Sequence, residues 1–412
     1  MKIYEMAWRN LWRRKRRTYI TAFSIGFGVL LSVTFTGTGD YSYTKMINTS
    51  ASMGLGHVTV EPRGYNETPA LDKRLFHSMD IREKILTIPG VNDAVVRITG
   101  QTMLASANKT IGGMFFGINP AQESEEYNLF LRSIIKGKPF SGKDGRGVLV
   151  GSKVAEKLHI GMGKKLVYTT TDVNGEIVSE VAIVEGVFET GVDEIDGSMI
   201  ILPIDRVRAT LNYEADEATL VAVIIQDQRN AEMMRDKIFS LVGTPDREVL
   251  SWHKTQAELA GIIAMDKSGN YIIQALIGLL IAAGILNTLL MSVMERTREF
   301  GVMMALGMSP GKLFRLVIME SLWFAFIGIL FGIIMTIPWY GYMHTTGIDF
   351  SGTIGSNSSA SGVIMDPVVK IRLFKESAIT ILSTVFALTM LSGIYPARRA
   401  GKIPPVESLK AL

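Results

Sequence analysis

The sequence predicts a multi-pass α-helical membrane protein with four transmembrane (TM) helices and a large mixed α/β extracytoplasmic domain inserted between TM1 and TM2. A hydrocarbon core of ~30 Å requires roughly 20 apolar residues of helix. Four runs meet this requirement, at 18–37, 271–294, 313–340 and 377–395. The segment 38–270 contains no such run, and its apolar stretches have the length of strands. The arrangement is therefore one span, a domain and three further spans.

Composition excludes several classes of protein. The chain has no cysteine, which excludes disulfides, thiol catalysis and cysteine-ligated zinc. Its formal net charge of +4 could indicate nucleic-acid binding. The basic residues lie beside the apolar runs, however, where lipid headgroups and membrane topology account for them. We therefore expect the lipid membrane, and not a nucleic acid, as a partner.

The distribution of lysine and arginine predicts the orientation. Basic residues are concentrated in 1–17, in 295–312 and in the tail 396–412. Because each run crosses once, these three segments fall on one side, and the positive-inside rule makes that side cytoplasmic. We expect a bacterial inner-membrane protein with both termini in the cytoplasm and with 341–376 as an extracytoplasmic loop.

The N-terminal end of the chain has two features with competing interpretations. Within 1–17, Ile3, Ala7, Trp8, Leu11 and Trp12 share one helical stripe, which predicts an amphipathic helix in the headgroup plane; a disordered basic tail is the alternative. The first run could also be a secretory signal peptide. It is longer than an h-region of about 7–15 residues and lacks a good cleavage site, so a retained span is predicted.

Small residues at four-residue spacing predict close packing of the spans. The pairs are Ser24 with Gly28, Gly278 with Ala282, and Gly328 with Gly332. Glu320 is the exception in an apolar setting, because its neighbours one turn away are apolar. Two interpretations remain open: the start of its helix lies along the interface, or Glu320 is a buried functional carboxylate.

The domain 38–270 alternates strand-like and amphipathic helical segments, which is typical of an α/β core. Within it, 128–195 is predicted to be an inserted β-rich subdomain. Its hairpin is predicted to turn at Asn174 and Gly175, two residues that tolerate positive φ. A helix from about residue 255 is expected to join the domain stiffly to TM2.

Catalytic signatures are absent or better explained by structure. Residues 307–311 match G-x-S-x-G, but a helix rather than a strand precedes them, so Ser309 is predicted to be an N-cap before Pro310. Every Gly-Lys pair lacks the Ser or Thr that a phosphate-binding loop requires. The five histidines have no metal-ligand spacing. No catalytic residue and no metal site are predicted, and this chain is not expected to be an enzyme.

One stretch carries a family resemblance. Residues 295–301 read ERTREFG, and Ala305-Leu306-Gly307 follow. Arg9-Asn10-Leu11 near the start and residues 395–400, read YPARRA, near the end add to the pattern. Together they resemble the permeases of the MacB/LolC/LolE/FtsX-like, or type VII mechanotransmission, ABC transporters, over nearly the whole chain.

The resemblance implies a division of labour. Two permease chains, as a homodimer or heterodimer, would pair with two ATPase subunits, which hold the ATP and Mg²⁺; this chain would bind no cofactor. Residues 295–312 would be the cytoplasmic coupling segment. An apolar plug of Phe300, Met303, Met304 and Leu306 would be surrounded by the charges of Arg296, Arg298 and Glu299. The remaining residues assigned to it are Glu295, Gly301, Ala305 and Gly307.

The sequence indicates the family more clearly than the branch of the family, and three functions remain open. Lipoprotein release, with a lipoprotein cargo and a periplasmic chaperone, is the first hypothesis. Efflux or peptide export with a periplasmic adaptor is the second. A membrane regulator or receptor without transport is the third, and it would neither bind nor stimulate an ATPase.

Overall fold

The structure is a computed structural model that describes residues 3–140, 145–354, 359–360, 363–364 and 367–402 of the 412. The helices, in chain order, are α1 (Ile3–Arg13), α2 (Lys15–Ser50), α3 (Ser78–Leu86), α4 (Leu129–Arg132), α5 (Ser152–Leu158), α6 (Asp193–Asp196), α7 (Ile204–Leu211), α8 (Ala231–Val242), α9 (Trp252–Thr255), α10 (Ala257–Glu295), α11 (Thr297–Ala305), α12 (Pro310–Thr345), α13 (Ser351–Ile354) and α14 (Lys375–Gly401). A π-helical turn, Ala51–Leu55, follows α2.

The strands, in chain order, are β1 (Val58–Pro62), β2 (Val91–Ala105), β3 (Thr110–Ile118), β4 (Ile134–Gly137), β5 (Gly147–Gly151), β6 (Lys165–Thr171), β7 (Ile177–Phe188), β8 (Met199–Pro203), β9 (Leu220–Ile225), β10 (Arg247–Ser251), β11 (Ile348–Asp349), β12 (Ser359–Ala360), β13 (Val363–Ile364) and β14 (Val368–Val369). Strands β1 to β10 form one sheet in the order β10-β1-β9-β2-β3-β8-β5-β7-β4, with β6 paired to β2 and β7.

Four helical segments are long and apolar enough to span a membrane, which confirms the predicted number of spans. They are Lys15–Leu55, Ala257–Glu295, Pro310–Thr345 and Lys375–Gly401. Each extends beyond its predicted run. In the first segment, the helix continues past residue 37. Tyr43, Met46 and Ile47 lie there at helical spacing among polar residues and pack into an apolar core. Hydropathy locates the run but not the helix end.

The chain divides into two compact units. One comprises Met1–Ser42, Met265–Asp349 and Val368–Leu412; the other comprises Tyr43–Ala264 and Phe350–Pro367. We refer to them as the helical unit and the α/β unit. Helices α2 and α10 run without interruption past the points of division, at Tyr43 and Met265.

The α/β unit is built on the ten-stranded sheet. Its strands pair mostly antiparallel, with hairpins joining β2 to β3 and β6 to β7, but β3 pairs with β8 and β5 with β7 in parallel. The large apolar core lies against this sheet, and a smaller cluster is centred on Phe116, Phe130 and Phe188. The α/β fold predicted for the domain is confirmed.

The predicted inserted subdomain, 128–195, does not form a sheet of its own. Strand β5 pairs with β8, and β6 pairs with β2, so the segment is hydrogen-bonded into the common sheet. The reason is the length of β2, whose 15 residues pair first with β9 and then with β3 and β6.

The ends of α2 and α10 within the α/β unit are tightly held. His57 interacts with Asn48 of α2 at 2.9 Å, and Gln228 donates to Thr44 at 2.8 Å. In α10, Leu259 and Ile263 are buried in the large core. These ends of the two helices are therefore packed parts of the α/β unit.

Candidate functional site

The connector between α10 and α12 is a short helix bounded by two breaks. Arg296 leaves helical geometry (φ −107°, ψ 15°) and separates α10 from α11. At the other end, Gly307 has φ 94°; its N–H donates to Met304 O, and Met308 N–H donates to Met303 O, each at 3.0 Å. This pair of bonds is a Schellman motif, which favours glycine because of the positive φ. Residues 295–309 therefore form a defined structure, which we call the connector.

Ser309 lies at the N-cap of α12 with Pro310 in the first turn. The prediction of position is confirmed, although the hydroxyl makes no capping hydrogen bond. The helix α11 before it contradicts a nucleophile elbow, which requires a strand.

One side of the connector is buried in the helical unit. Phe300 is 0% exposed and packs with Ala7, Val293, Leu313, Leu316, Val317, Ala397 and Ala400. Gly301 is also buried, and Met303 and Met304 are half-buried against the same cluster. The prediction that Phe300 forms part of a partner-facing plug is therefore wrong: its ring fills the core of its own chain.

The other side of the connector is exposed. Leu306, at the end of α11, is 84% exposed, and Val302 is 43% exposed. Arg298, Ala305 and Gly307 are exposed beside them. Leu306 and Val302 therefore form a small exposed apolar surface beside a charged residue, on a base that is buried in the chain's own core.

A buried carboxylate lies behind the connector. Glu320 of α12 is 4% exposed, and its Oε1 accepts from Arg296 Nη1 at 2.7 Å and from Asn10 Nδ2 at 2.8 Å. Arg296 Nε also donates to Glu299 at 3.2 Å, and its guanidinium lies 5.0 Å from the centre of the Phe300 ring. Glu320 is therefore buried, as the second of the two interpretations requires, and a functional role for it stays a prediction.

The arginines at the end of α1 and the start of α2 surround this carboxylate with further ion pairs. Arg13 pairs with Glu299 at 2.7 Å, and both Arg14 and Arg17 pair with Glu295. These pairs are partly exposed, and exposed ion pairs contribute little stability. The three arginines and Glu299 line a small pocket of about 80 Å³ together with Asn10, Arg296 and Glu320.

Of the six residues predicted to allow close packing of the spans, the four glycines each closely approach another helix. A Cβ on Gly28 would lie 2.1 Å from Ile281 of α10, one on Gly328 would lie 2.6 Å from Ile25 of α2, and one on Gly278 would lie 2.7 Å from Leu388 of α14. Gly332 approaches Val29 equally closely. Ala282 is half-buried, whereas Ser24 is exposed and bonds only the carbonyl of Ile20 among the described residues.

Two residues of these contacts were not predicted. Gly26 meets the backbone of Gly332 across α2 and α12, and Asn10 binds Glu320. Asn10 is the one amide on α1, and the sequence analysis used it only as part of the Arg9-Asn10-Leu11 motif, without a contact assigned to it. Within the described residues, no group of three or more His, Asp or Glu side chains could hold a metal ion.

Comparison with known proteins gives these features a context. The family model described as the MacB-like periplasmic core domain matches residues 18–240, and that described as FtsX-like permease C-terminal matches 271–405. The first alone covers more than half of the chain.

Three relatives match much of the chain. An uncharacterised ABC transporter permease of Methanocaldococcus jannaschii is 24% identical over 99% of this chain and 97% of its own length. The lipoprotein-releasing system transmembrane protein LolC of Neisseria meningitidis is 23% identical over 78% of each chain. The macrolide export ATP-binding/permease protein MacB of Pasteurella multocida is 21% identical over 98% of this chain and 59% of its own. The chain thus belongs to the MacB/LolC/FtsX-like family of ABC transporter permeases and is a multi-pass membrane protein.

Proposed function

We propose that this chain is a permease subunit whose connector receives the motion of a separate ATPase and passes it to the extracytoplasmic α/β unit. The observation that carries this proposal is the two-sided connector. Leu306 is 84% exposed, while Phe300 is 0% exposed and Arg296 is bound to Glu320. An exposed contact on a buried base can pass on a push, because packed cores transmit displacement rather than absorb it.

The proposed assembly has two permease chains and two ATPase subunits, with both termini and the connector on the cytoplasmic side. ATP and Mg²⁺ would be held by the ATPase. This agrees with the sequence of this chain, in which each Gly-Lys pair lacks the following Ser or Thr of a phosphate-binding loop.

The proposed route outward is α10. It is one helix from Ala257 to Glu295, with its first turns buried in the core of the α/β unit through Leu259 and Ile263. It ends at Glu295, which is also the first residue of the connector. A helix of 39 residues can transmit a displacement along its length without a channel for cargo.

The proposed cargo is a lipoprotein released from the membrane, as in the lipoprotein-releasing system to which LolC of Neisseria meningitidis belongs. Export of a small molecule is the second candidate, favoured by the similarity to the macrolide exporter of Pasteurella multocida over 98% of this chain. Release of a purified acylated lipoprotein from proteoliposomes, compared with macrolide efflux, distinguishes the two.

Copurification with an ATPase tests the coupling proposal. The chain is coexpressed with a candidate ATPase that carries a phosphate-binding loop, and the complex is isolated through a tag on the permease. We expect Leu306→Asp to insert normally and lose the ATPase, since a charge in an apolar contact costs several kcal/mol. The matched control is Ile177→Asp, at a side chain 79% exposed on β7.

Retention of the ATPase by Leu306→Asp with normal turnover would show that the connector is not its contact. Failure of the wild-type chain to bind any such ATPase would favour the receptor alternative.

The orientation in the membrane is tested with single introduced cysteines, since the chain has none of its own. An impermeant thiol reagent should label Ala107→Cys in spheroplasts, and Ser309→Cys only after lysis.

A further inference from the structure

Glu320 joins three separate elements of the helical unit through one oxygen atom. Its Oε1 accepts from Asn10 of α1 at 2.8 Å and from Arg296, between α10 and α11, at 2.7 Å. Among the described contacts, both hydrogen bonds to its Oε1 come from outside its own helix, where the residues one turn away are Leu316, Val317, Trp323 and Phe324. The carboxylate is therefore held by elements that are distant in sequence.

Arg296 is the residue through which this carboxylate can act on the connector. It breaks the helical path between α10 and α11, so its position determines the direction in which α11 starts. The guanidinium is bound on one side to Glu320 and on the other to Glu299 of α11, and it lies over the Phe300 ring. Moving Arg296 therefore moves the base on which Leu306 is mounted.

The same carboxylate also links α1 to the connector. A further polar tie between α1 and α11 is the pair Arg13–Glu299, whose side chains are 66% and 37% exposed. Exposed pairs are weak and screened by salt, whereas a buried charge strongly favours its partners, since losing them leaves it unpaired. The Asn10–Glu320–Arg296 cluster therefore adds a buried polar tie to the apolar packing of Ala7 with Phe300, which also joins α1 to the connector.

We infer that Glu320 is a positioning residue that sets the connector through Arg296 and couples α1 to it through Asn10, so that α1 and α11 move together when the ATPase engages. The inference rests on the proposed function, because it assigns α1 a part in the same transmission. It adds Asn10 and Glu320 to the coupling residues, although neither lies on the connector and neither is exposed.

Cross-linking between α1 and α11 tests the geometry. In the cysteine-free chain, Arg13→Cys and Glu299→Cys place two thiols where the side chains now touch at 2.7 Å. A short bis-maleimide should link the two thiols when Glu320 is unchanged. We expect the yield to fall severalfold with Glu320→Ala and to be restored by Glu320→Gln, whose amide oxygen still accepts from Asn10 and Arg296.

A second thiol pair is the control for general unfolding. Gln274 of α10 donates to Thr36 of α2 at 2.6 Å, away from Glu320, so Thr36→Cys with Gln274→Cys reports span packing alone. Its cross-linking should not change in the Glu320→Ala background. If it falls equally, Glu320 has only a general structural role and the inference is wrong.

The functional readout is ATP turnover of the complete permease–ATPase complex. With Glu320→Ala we expect the ATPase to copurify and its KM for ATP to stay unchanged. The turnover that depends on the permease should fall by roughly tenfold or more, since a displaced positioned group commonly costs this much. Glu320→Gln should retain most of it.

The outcomes separate this inference from the proposed function. If the wild-type complex does not assemble or hydrolyse ATP, the proposed function fails whatever Glu320 does. If the wild-type complex works and Glu320→Ala shows normal cross-linking and normal turnover, the proposed function stands and the positioning role is overturned.

Discussion

Arg296 and Glu320 form an ion pair at 2.7 Å in which both side chains are more than nine-tenths buried, at 9% and 5% exposure. Removing two charges from water costs several kcal/mol for each ion, and their attraction returns this only with good geometry and further hydrogen bonds. Glu320 has such a further bond from Asn10. We therefore expect the pair to contribute specificity of arrangement more than net stability.

The first prediction compares losing one partner with losing both. Arg296→Met leaves Glu320 buried without its cation and should lower the free energy of unfolding by about 3–5 kcal/mol. The double variant Arg296→Met with Glu320→Leu removes both charges and should recover most of that loss. Thermal unfolding of the full chain in detergent measures both. Equal destabilisation by the single and double variants would contradict this account.

The second prediction concerns the contact of α2 with α12. A Cβ on Gly332 would lie 2.8 Å from Val29 Cβ and 3.1 Å from Gly26 Cα. Gly332→Ala should therefore separate the two helices and cost about 1–3 kcal/mol through overpacking. Gly341, on the same helix with open space around it, is the matched control.

Thermal unfolding in detergent again gives the comparison. At Gly341, alanine should be neutral or stabilise by up to about 1 kcal/mol, since glycine is the poorer helix former. A stable Gly332→Ala variant would mean that the helices can move apart without cost, contrary to the close contact.

The spans and the α/β character of the domain were predictable from the sequence. An apolar run of about 20 residues indicates a membrane span, and alternating strand-like and amphipathic helical segments indicate an α/β core. The partners of Glu320 were not predictable. Arg296 lies 24 residues away and Asn10 lies 310 residues away, and one sequence contains no record of such contacts.

The connector was predicted in part for a related reason. Its apolar and charged residues indicated two faces, but periodicity does not distinguish a face that meets another protein from one that meets the chain's own core. Phe300 belongs to the core, and Leu306 remains available. The hairpin shows the same limit: Gly175 has the predicted positive φ, but Asp172 accepts from the N–H of Asn174 and of Glu176 and organises a longer loop than the predicted two-residue turn.

The third prediction is a pH dependence in the α/β unit. Glu61 of β1 lies directly opposite Glu248 of β10. Burial, and then the facing Glu248 carboxylate, raise the pKa of Glu61 to about 8. A folded-state pKa above the unfolded value means that this group's contribution is present below about pH 4.5 and is lost as the pH rises through about 8.

Glu61→Gln should therefore stabilise the unit above pH 8 and have little effect near pH 4.5. Burial lowers the pKa of His57 to about 4, so its contribution runs in the opposite direction and is lost as the pH falls; it cancels when variant and parent are compared at one pH. Protease resistance of residues 43–264 on heating, measured across this range, gives the difference. The exposed Glu125→Gln is the control, and a pH-independent difference would contradict the assignment.

The last prediction concerns α10 as the route of force. The helix has no break between Ala257 and Glu295, and its two glycines nearest the division at Met265, Gly261 and Gly269, have open space around them. Two glycines inserted after Ala264 should create a hinge, since glycine costs about 1 kcal/mol relative to alanine in a helix. The ATPase should still bind and hydrolyse ATP, because the connector is unchanged.

Hydrogen exchange in residues 43–264 provides a readout that needs no cargo. In the parent complex, a non-hydrolysable ATP analogue bound to the ATPase should change exchange in the α/β unit, and the insertion should abolish that change. The same insertion after Ala107, in the exposed turn between β2 and β3, should leave it intact. Because a hinge bends where a continuous helix transmits, a nucleotide response that persists with the hinge in place would mean that force reaches the α/β unit by another path.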